Sequence, residues 1–356
     1  PDLWWRGLED PFLYRSKLGL PHENEITGDS NLPAGVRSNN IMSDWKFELV
    51  AGPYDGSTDG PVWDGEGLLF TQLVEQANHP NNRILRYDPR TGYVSEFRRW
   101  THRTAGLAFS ANGTLCGCQS ICRRIVRFNA DGSTTPLAYR IDGKFHNQPK
   151  DLVVDRRGRI WFADPVWGPP VQGGLRSHEL EPMTVDFTSV LLMETPDRHG
   201  HLRRMTYDTH APAALLLSQD ETTLYVAESS DDALGKRELR AYPILEDGSL
   251  GPYAVLHVFG ADYRGVHRGV SGMCLDTRGN IIASAGWERS GPGPMIYIFS
   301  PEGRVLETHP VPANEPTNCT FGDPELTTLY VTTNGGHLYR VPETGHQGWL
   351  LYPPAR

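Results

Sequence analysis

One phrase returns six times along this chain: an apolar run, an Asp or Ser, a polar turn usually holding Gly, and a second apolar run. The copies are PVWDGEGLLF (61–70), LAFSANGTLCG (107–117), LVVDRRGRIWF (152–162), LLLSQDETTLYV (215–226), MCLDTRGNIIAS (273–284) and CTFGDPELTTLYV (319–331). They start about 45 to 63 residues apart, which is the period of a propeller blade. Each copy reads as two strands joined by a tight turn, because Asp, Ser and Gly supply the turn and the flanking runs supply the strands. The expected fold is all-β, a six-bladed β-propeller.

The strands between the copies fit that plan. NRILRYDP (82–89), RRIVRFNADG (123–132), SVLLMETP (189–196), RELRAYPI (237–244), PMIYIFSPEG (294–303) and HLYRVPETG (337–345) each give an alternating strand ended by Pro, Asp or Gly. Residues 1–42 lack a period of two and are expected to form an N-terminal extension anchored by Trp4, Trp5, Phe12 and Leu13, with the propeller over 43–356. WKFELVA, from Trp45, is expected to close the ring, with the C-terminal GWLLY pairing near it. The segment 168–187 reads as an insertion above the blades.

Charge narrows the partners. The net charge is −9, from 34 basic and 43 acidic residues, and basic residues cluster no further than pairs such as Arg123-Arg124. A nucleic-acid face needs concentrated positive charge, so nucleic acid is not an expected partner. No apolar run approaches the roughly 18 residues of a helical membrane span. A small-molecule substrate is expected, and nothing in the chain speaks to oligomeric state. Of five cysteines, Cys116 and Cys118 lie two apart on one strand face, as buried thiols, a zinc site or a disulfide. No leader-like run follows Pro1, so the expectation is cytoplasmic, or secreted or periplasmic if a leader has been removed.

In a propeller the innermost strands start beside the axis, so equivalent positions before each phrase form a ring. Counting five residues back from each Asp or Ser, with the last copy aligned on Asp323, gives Asp59, Ala105, Lys150, Ala213, Ser271 and Asn318. A Lys and an Asp in a narrow channel are costly unless paired or used, although such a ring can also be the plain neck of the channel. His146, Asn147 and Asp151 flank Lys150, His210 lies near Ala213, and His267 and Arg268 precede Ser271. A histidine there would move protons near neutral pH. Gln119, Asp164, Glu228 and Trp287 end the second strands. Asp164 reads equally as a site residue or the start of an Asp-Pro turn, and Trp167 and Trp287 as pocket wall or core.

DGPVWDGEGLLF, DGKFHNQPKDLVVDRRGRIWFADPVWG, LSQDETTLYVAES and PTNCTFGDPELTTLYVTTNGGHLYRV resemble the family that groups gluconolactonase with senescence marker protein and luciferin-regenerating enzyme, over about residues 45–345. The resemblance implies a six-bladed propeller, a divalent ion, usually calcium, in the central channel, and hydrolysis of lactones or, in relatives, phosphoesters. Where the family has Glu before Gly-Pro-Val-Trp this chain has Asp59. Lys150 stands for the Asn of Pro-Asn-Asp, Ala213 for the Asn before Gly-Leu, and Ser271 for the Asp before Gly-Met, while Gln119 and Ser120 replace a Glu-His pair. Calcium takes six to eight oxygens, several of them charged, and Asp59 alone remains as a carboxylate ligand. No cofactor is therefore expected, and a calcium or other divalent ion would rest on Asp59.

These readings converge on an enzyme acting on a small oxygenated cyclic substrate in the channel. The expected reaction is lactone hydrolysis, with the Lys150 ammonium in the place of the ion and Asp59, Asp151, His146 and His267 as its catalytic neighbours. Asn147, His210, Arg268, Ser271, Asn318, Asp164, Trp167 and Gln119 are the expected substrate contacts. A metal-independent lyase or isomerase using Lys150 or His267 is the second reading, and a non-catalytic binding propeller the third.

Overall fold

The computed structural model describes residues 45–76, 78–137, 139–166, 185–197 and 200–352. The expected extension over 1–42, Trp167 and most of the 168–187 insertion lie outside these. Among the described residues the principal sheets are six, each built on four antiparallel strands. Blades 1 to 5 span 57–98, 104–136, 152–204, 212–258 and 270–310. Blade 6 takes three strands from 316–341 and its outermost from the other end of the chain, where Glu48–Ala51 pairs with Leu338–Val341. The two ends of the propeller thus meet in one sheet, which closes the ring and covers the edge that Leu338–Val341 would otherwise leave unpaired.

The apolar runs of the repeat are continuous because every blade is covered on both faces. Side chains alternate along a strand, so Leu68 and Phe70 face blade 6 while Leu69 faces blade 2, and Trp161 and Ala163 face blade 4 while Ile160 and Phe162 face blade 2. Six core clusters result, one between each pair of neighbouring blades. Cys116 and Cys118 lie together in the cluster between blades 2 and 3 as free thiols.

The recurring Asp and Ser tie the first hairpin of blades 1 to 5 at the end away from the pocket. Asp64, Asp155 and Asp276 each accept backbone N–H bonds from the turn that follows, and Ser110 and Ser218 do so through Asn112 and Asp220.

One expectation is corrected. The C-terminal strand Gly348–Trp349 does not pair beside the closing strand; it adds to the inner strand of blade 5, with Leu275 opposite Trp349 and Asp276 opposite Gly348. Only glycine fits there, since an added Cβ at 348 would lie 2.1 Å from the Phe321 Cβ. The tail then runs beneath the channel.

Candidate active site

Each inner strand carries the same irregularity near its start. Register shifts fall between Asp59 and Val62, Thr104 and Leu107, Pro212 and Ala214, Val270 and Gly272, and Pro316 and Asn318. In blade 3 Lys150 and Asp151 share Ala163 on the next strand, through Lys150 N–H to Ala163 O and Ala163 N–H to Asp151 O. A bulge puts two residues opposite one and re-aims a side chain. Here it turns one residue per blade toward the axis.

The result is a cavity of about 320 Å³ ringed by Asp59, Ala105, Lys150, Ala213, Ser271 and Thr317, within the range of small-molecule sites. Five of these are the residues expected from the repeat. In blade 6 the ring residue is Thr317, and Asn318 instead lines a lower chamber. There its side-chain oxygen accepts from the Cys319 N–H at 2.8 Å.

That lower chamber, about 160 Å³, is walled by apolar inner-strand residues and by the tail Trp349 to Tyr352, with Asp151 at its upper end. Glycines at 60 and 106 let neighbouring strands meet between the two spaces. At Gly60, φ is +51° and an added Cβ would sit 2.3 Å from the Ala105 carbonyl oxygen. Gly60→Ala is therefore expected to lose at least about 2 kcal/mol of stability, measured by urea unfolding; a loss below about 0.5 kcal/mol would contradict this packing.

Lys150 is the centre of the ring. Its Nζ donates to the Ser271 carbonyl at 2.8 Å, reaching from blade 3 to blade 5. Burial pulls its pKa below that of an ordinary lysine; the Asp59 and Asp151 carboxylates oppose that pull and Arg268 adds to it. Asp59, 5 % exposed, accepts the Gly60 N–H at 2.7 Å. Asp151 accepts the Leu215 N–H at 3.0 Å, and burial pushes its carboxyl up to about 7. Arg268 lies 3.7 Å from Glu315 and 4.0 Å from Asp231, with its Nε 3.4 Å from the Ser271 hydroxyl.

Other expected contacts lie off the lining. His146 is buried edge-on to Phe162 at 5.2 Å. Asn147 bonds to the Asp164 and Phe187 carbonyls, and its N–H goes to the Asp164 carboxylate at 2.8 Å. This pair shapes the loop that delivers Gln148 and Lys150 to the pocket. Gln119 bridges the Thr101 carbonyl and Arg124. The His210 side chain is exposed, and His267 faces Asp262, 3.7 Å away. Trp287 is buried, bonded to Ser290 at 2.7 Å. Loop side chains are not periodic, so proximity in sequence to a ring residue does not aim them at the axis.

Sequence reasoning missed Glu75, Arg103, Gln148, Asp231 and Asn334, which line the cavity from loops at its mouth. Their spacing carries no signal, because each comes from a different irregular connection.

A model of the SMP-30/gluconolactonase/LRE-like region matches residues 57–335. The chain belongs to this family. A gluconolactonase from Zymomonas mobilis is 28% identical over 308 residues, 81% of this chain and 79% of the relative. A 6-deoxy-6-sulfogluconolactonase from Pseudomonas putida is 26% identical over 275 residues, 77% and 82% of the two chains. Among solved structures, a gluconolactonase from Xanthomonas campestris superposes with a TM-score of 0.67 at 29% identity, covering 85% of this chain and 90% of its own.

The ion implied by the resemblance to this family does not suit the ring. Asp59 is its one carboxylate, and an ammonium, two alanines and two hydroxyls complete it. Among the described residues no three His, Cys, Asp or Glu side chains gather as metal ligands, and calcium needs several charged oxygens.

Proposed function

We propose that the chain opens a lactone in the axial cavity, with Lys150 as the electrophilic group in place of a divalent ion. The observation that carries this is the Lys150 ammonium, held across the channel by the Ser271 carbonyl beside Asp59. The gluconolactonase relatives supply the reaction class.

Water adds to the lactone carbonyl, and the oxyanion that forms is stabilised by the Lys150 ammonium in a site partly closed to water. The carboxylate of Asp59 takes the proton from the attacking water and returns it to the ring oxygen as the C–O bond breaks, giving a hydroxy acid. The expected histidine is replaced in this role because His146, His210 and His267 are absent from the cavity lining. Ser271, Arg268 and Thr317 are left to orient hydroxyl groups.

The lowered basicity of Lys150 favours a second reading, removal of a proton next to a carbonyl. A panel of aldonolactones, followed by pH-stat and mass spectrometry, separates the readings. The expected product is heavier than the substrate by one water. A product of unchanged mass would move the assignment to isomerisation, loss of a small molecule to a lyase, and inertness toward every compound to a binding propeller.

The active form carries the ammonium, so raising the pH removes it. After correction for spontaneous opening, kcat/KM is expected to fall on the alkaline side with a midpoint below the ordinary lysine value. A rate flat up to that value would contradict the role.

A further inference from the structure

The axial cavity continues sideways into a lobe of about 490 Å³ that shares Ser57, Glu75, Arg103 and Asn334 with it and is otherwise bounded by groups such as Asp55, Gln76 and His79. Arg103 stands at the junction. It ends the segment Trp100 to Arg103, in which Trp100, His102 and Arg103 have φ of 57°, 50° and 57°. None is glycine, and each left-handed residue costs about 1–3 kcal/mol.

The surroundings enforce that backbone. The Thr101 N–H donates to the Asn82 carbonyl at 2.8 Å, and the Thr101 carbonyl accepts from Thr104 Oγ1 at 2.6 Å and Gln119 Nε2 at 3.0 Å. Ser120 Oγ donates to the Arg103 carbonyl at 3.3 Å.

So placed, the Arg103 guanidinium is half-buried, and burial holds its pKa below the usual arginine value, with the Glu75 carboxylate opposing. Lys150 has the Ser271 carbonyl and Arg268 has Glu315. Among the described residues lining the cavity, Arg103 is the cation whose head group has neither a hydrogen bond nor an ion pair. A guanidinium offers five donors in a planar fork, and those of Arg103 have no partner among the described residues while they stay open to the cavity. The group that best satisfies the fork is a carboxylate, bound through two parallel bonds.

We infer that Arg103 is a substrate-recognition residue and that the lactone this cavity takes carries a carboxylate at the end remote from its ring carbonyl. The inference rests on the lactone reading for which end meets Lys150. Asp231, on the cavity wall beside Arg268, repels an acid on that side of the mouth and so favours one orientation, acid end to Arg103 and carbonyl end to Lys150.

The test compares a neutral lactone, glucono-δ-lactone, with an acidic one, glucaro-1,4-lactone, on wild type, Arg103→Met and Arg103→Lys. Lys236→Met, an exposed change on a neighbouring loop, controls for net charge. Wild type is expected to show a KM at least tenfold lower for the acidic lactone. Arg103→Met should raise that KM by about 10- to 100-fold, the worth of charged hydrogen bonds, with kcat and melting temperature close to wild type. Its effect on the neutral lactone should be far smaller, and Arg103→Lys should recover part of the loss. Equal KM values for the two lactones in wild type, or an equal effect of Arg103→Met on both, would overturn the inference. Calorimetric titration with glucarate is independent of turnover. If neither lactone is opened, the lactone reading fails, while glucarate binding that Arg103→Met abolishes still upholds the recognition role, and no binding to wild type overturns it.

Discussion

Replacing Lys150 with methionine lowers kcat/KM for lactone opening by about a hundredfold to a thousandfold, the loss that follows removal of one preorganised donor to an oxyanion. Methionine keeps most of the volume and removes the charge that the Ser271 carbonyl holds across the channel at 2.8 Å. The same change is expected to raise stability. Burial holds the Lys150 pKa below its unfolded value, so between those two values the unfolded chain binds the extra proton and stability rises with pH. At neutral pH the ammonium is therefore a cost to the fold, and Lys150→Met should melt higher while it works worse. Such opposed effects mark a functional group held at the expense of stability. Steady-state kinetics with a thermal melt check both, and activity within about threefold of wild type would remove Lys150 from the mechanism.

Asp164→Asn is expected to stabilise the protein at pH 8 and to do little at pH 4.5. Asp164 is 1% exposed, accepts the Asn147 N–H at 2.8 Å, and burial pushes its carboxyl up to about 7. The folded pKa lies above the unfolded one, so the native state holds an extra proton between about 4 and 7. Stability falls as pH rises through that window and levels off above it. About three pKa units correspond to roughly 4 kcal/mol as an upper bound. Asparagine keeps an acceptor for Asn147 and carries no charge, so a gain of about 2 kcal/mol at pH 8 is the expected result. Urea unfolding at the two pH values measures it. An equal effect at both would mean that Asp164 is ionised in the fold at little cost.

The blades were legible because two properties of the repeat are local: turn chemistry at Asp, Ser and Gly, and apolar runs that must be covered on both faces. The ring was legible because the bulge recurs at a fixed distance from each turn. It slipped by one residue in blade 6, where Gly322 still pairs with Thr328. Five strand residues, Asn318 to Gly322, separate the bulged Thr317 from Asp323, whereas four, Ala214 to Leu217, separate Ala213 from Ser218. Counting from Asp323 gave Asn318 where the bulge turns Thr317 inward. Arg103 was illegible for a different reason. A left-handed run normally announces itself by glycine, and here Trp100, His102 and Arg103 are held in it by Gln119, Ser120 and Asn82, contacts that no local pattern encodes. The tail's course under the channel depended likewise on Gly348 meeting Phe321.

On the proposed mechanism the Lys150 ammonium, bonded across the ring to the Ser271 carbonyl, does the work expected of an ion. Dialysis against a chelator, followed by parallel measurement of lactone opening and bound divalent metal, tests it most directly. Unchanged kcat with well under one ion per chain is the expected result; activity lost on chelation and restored by one calcium per chain would contradict the role of Lys150.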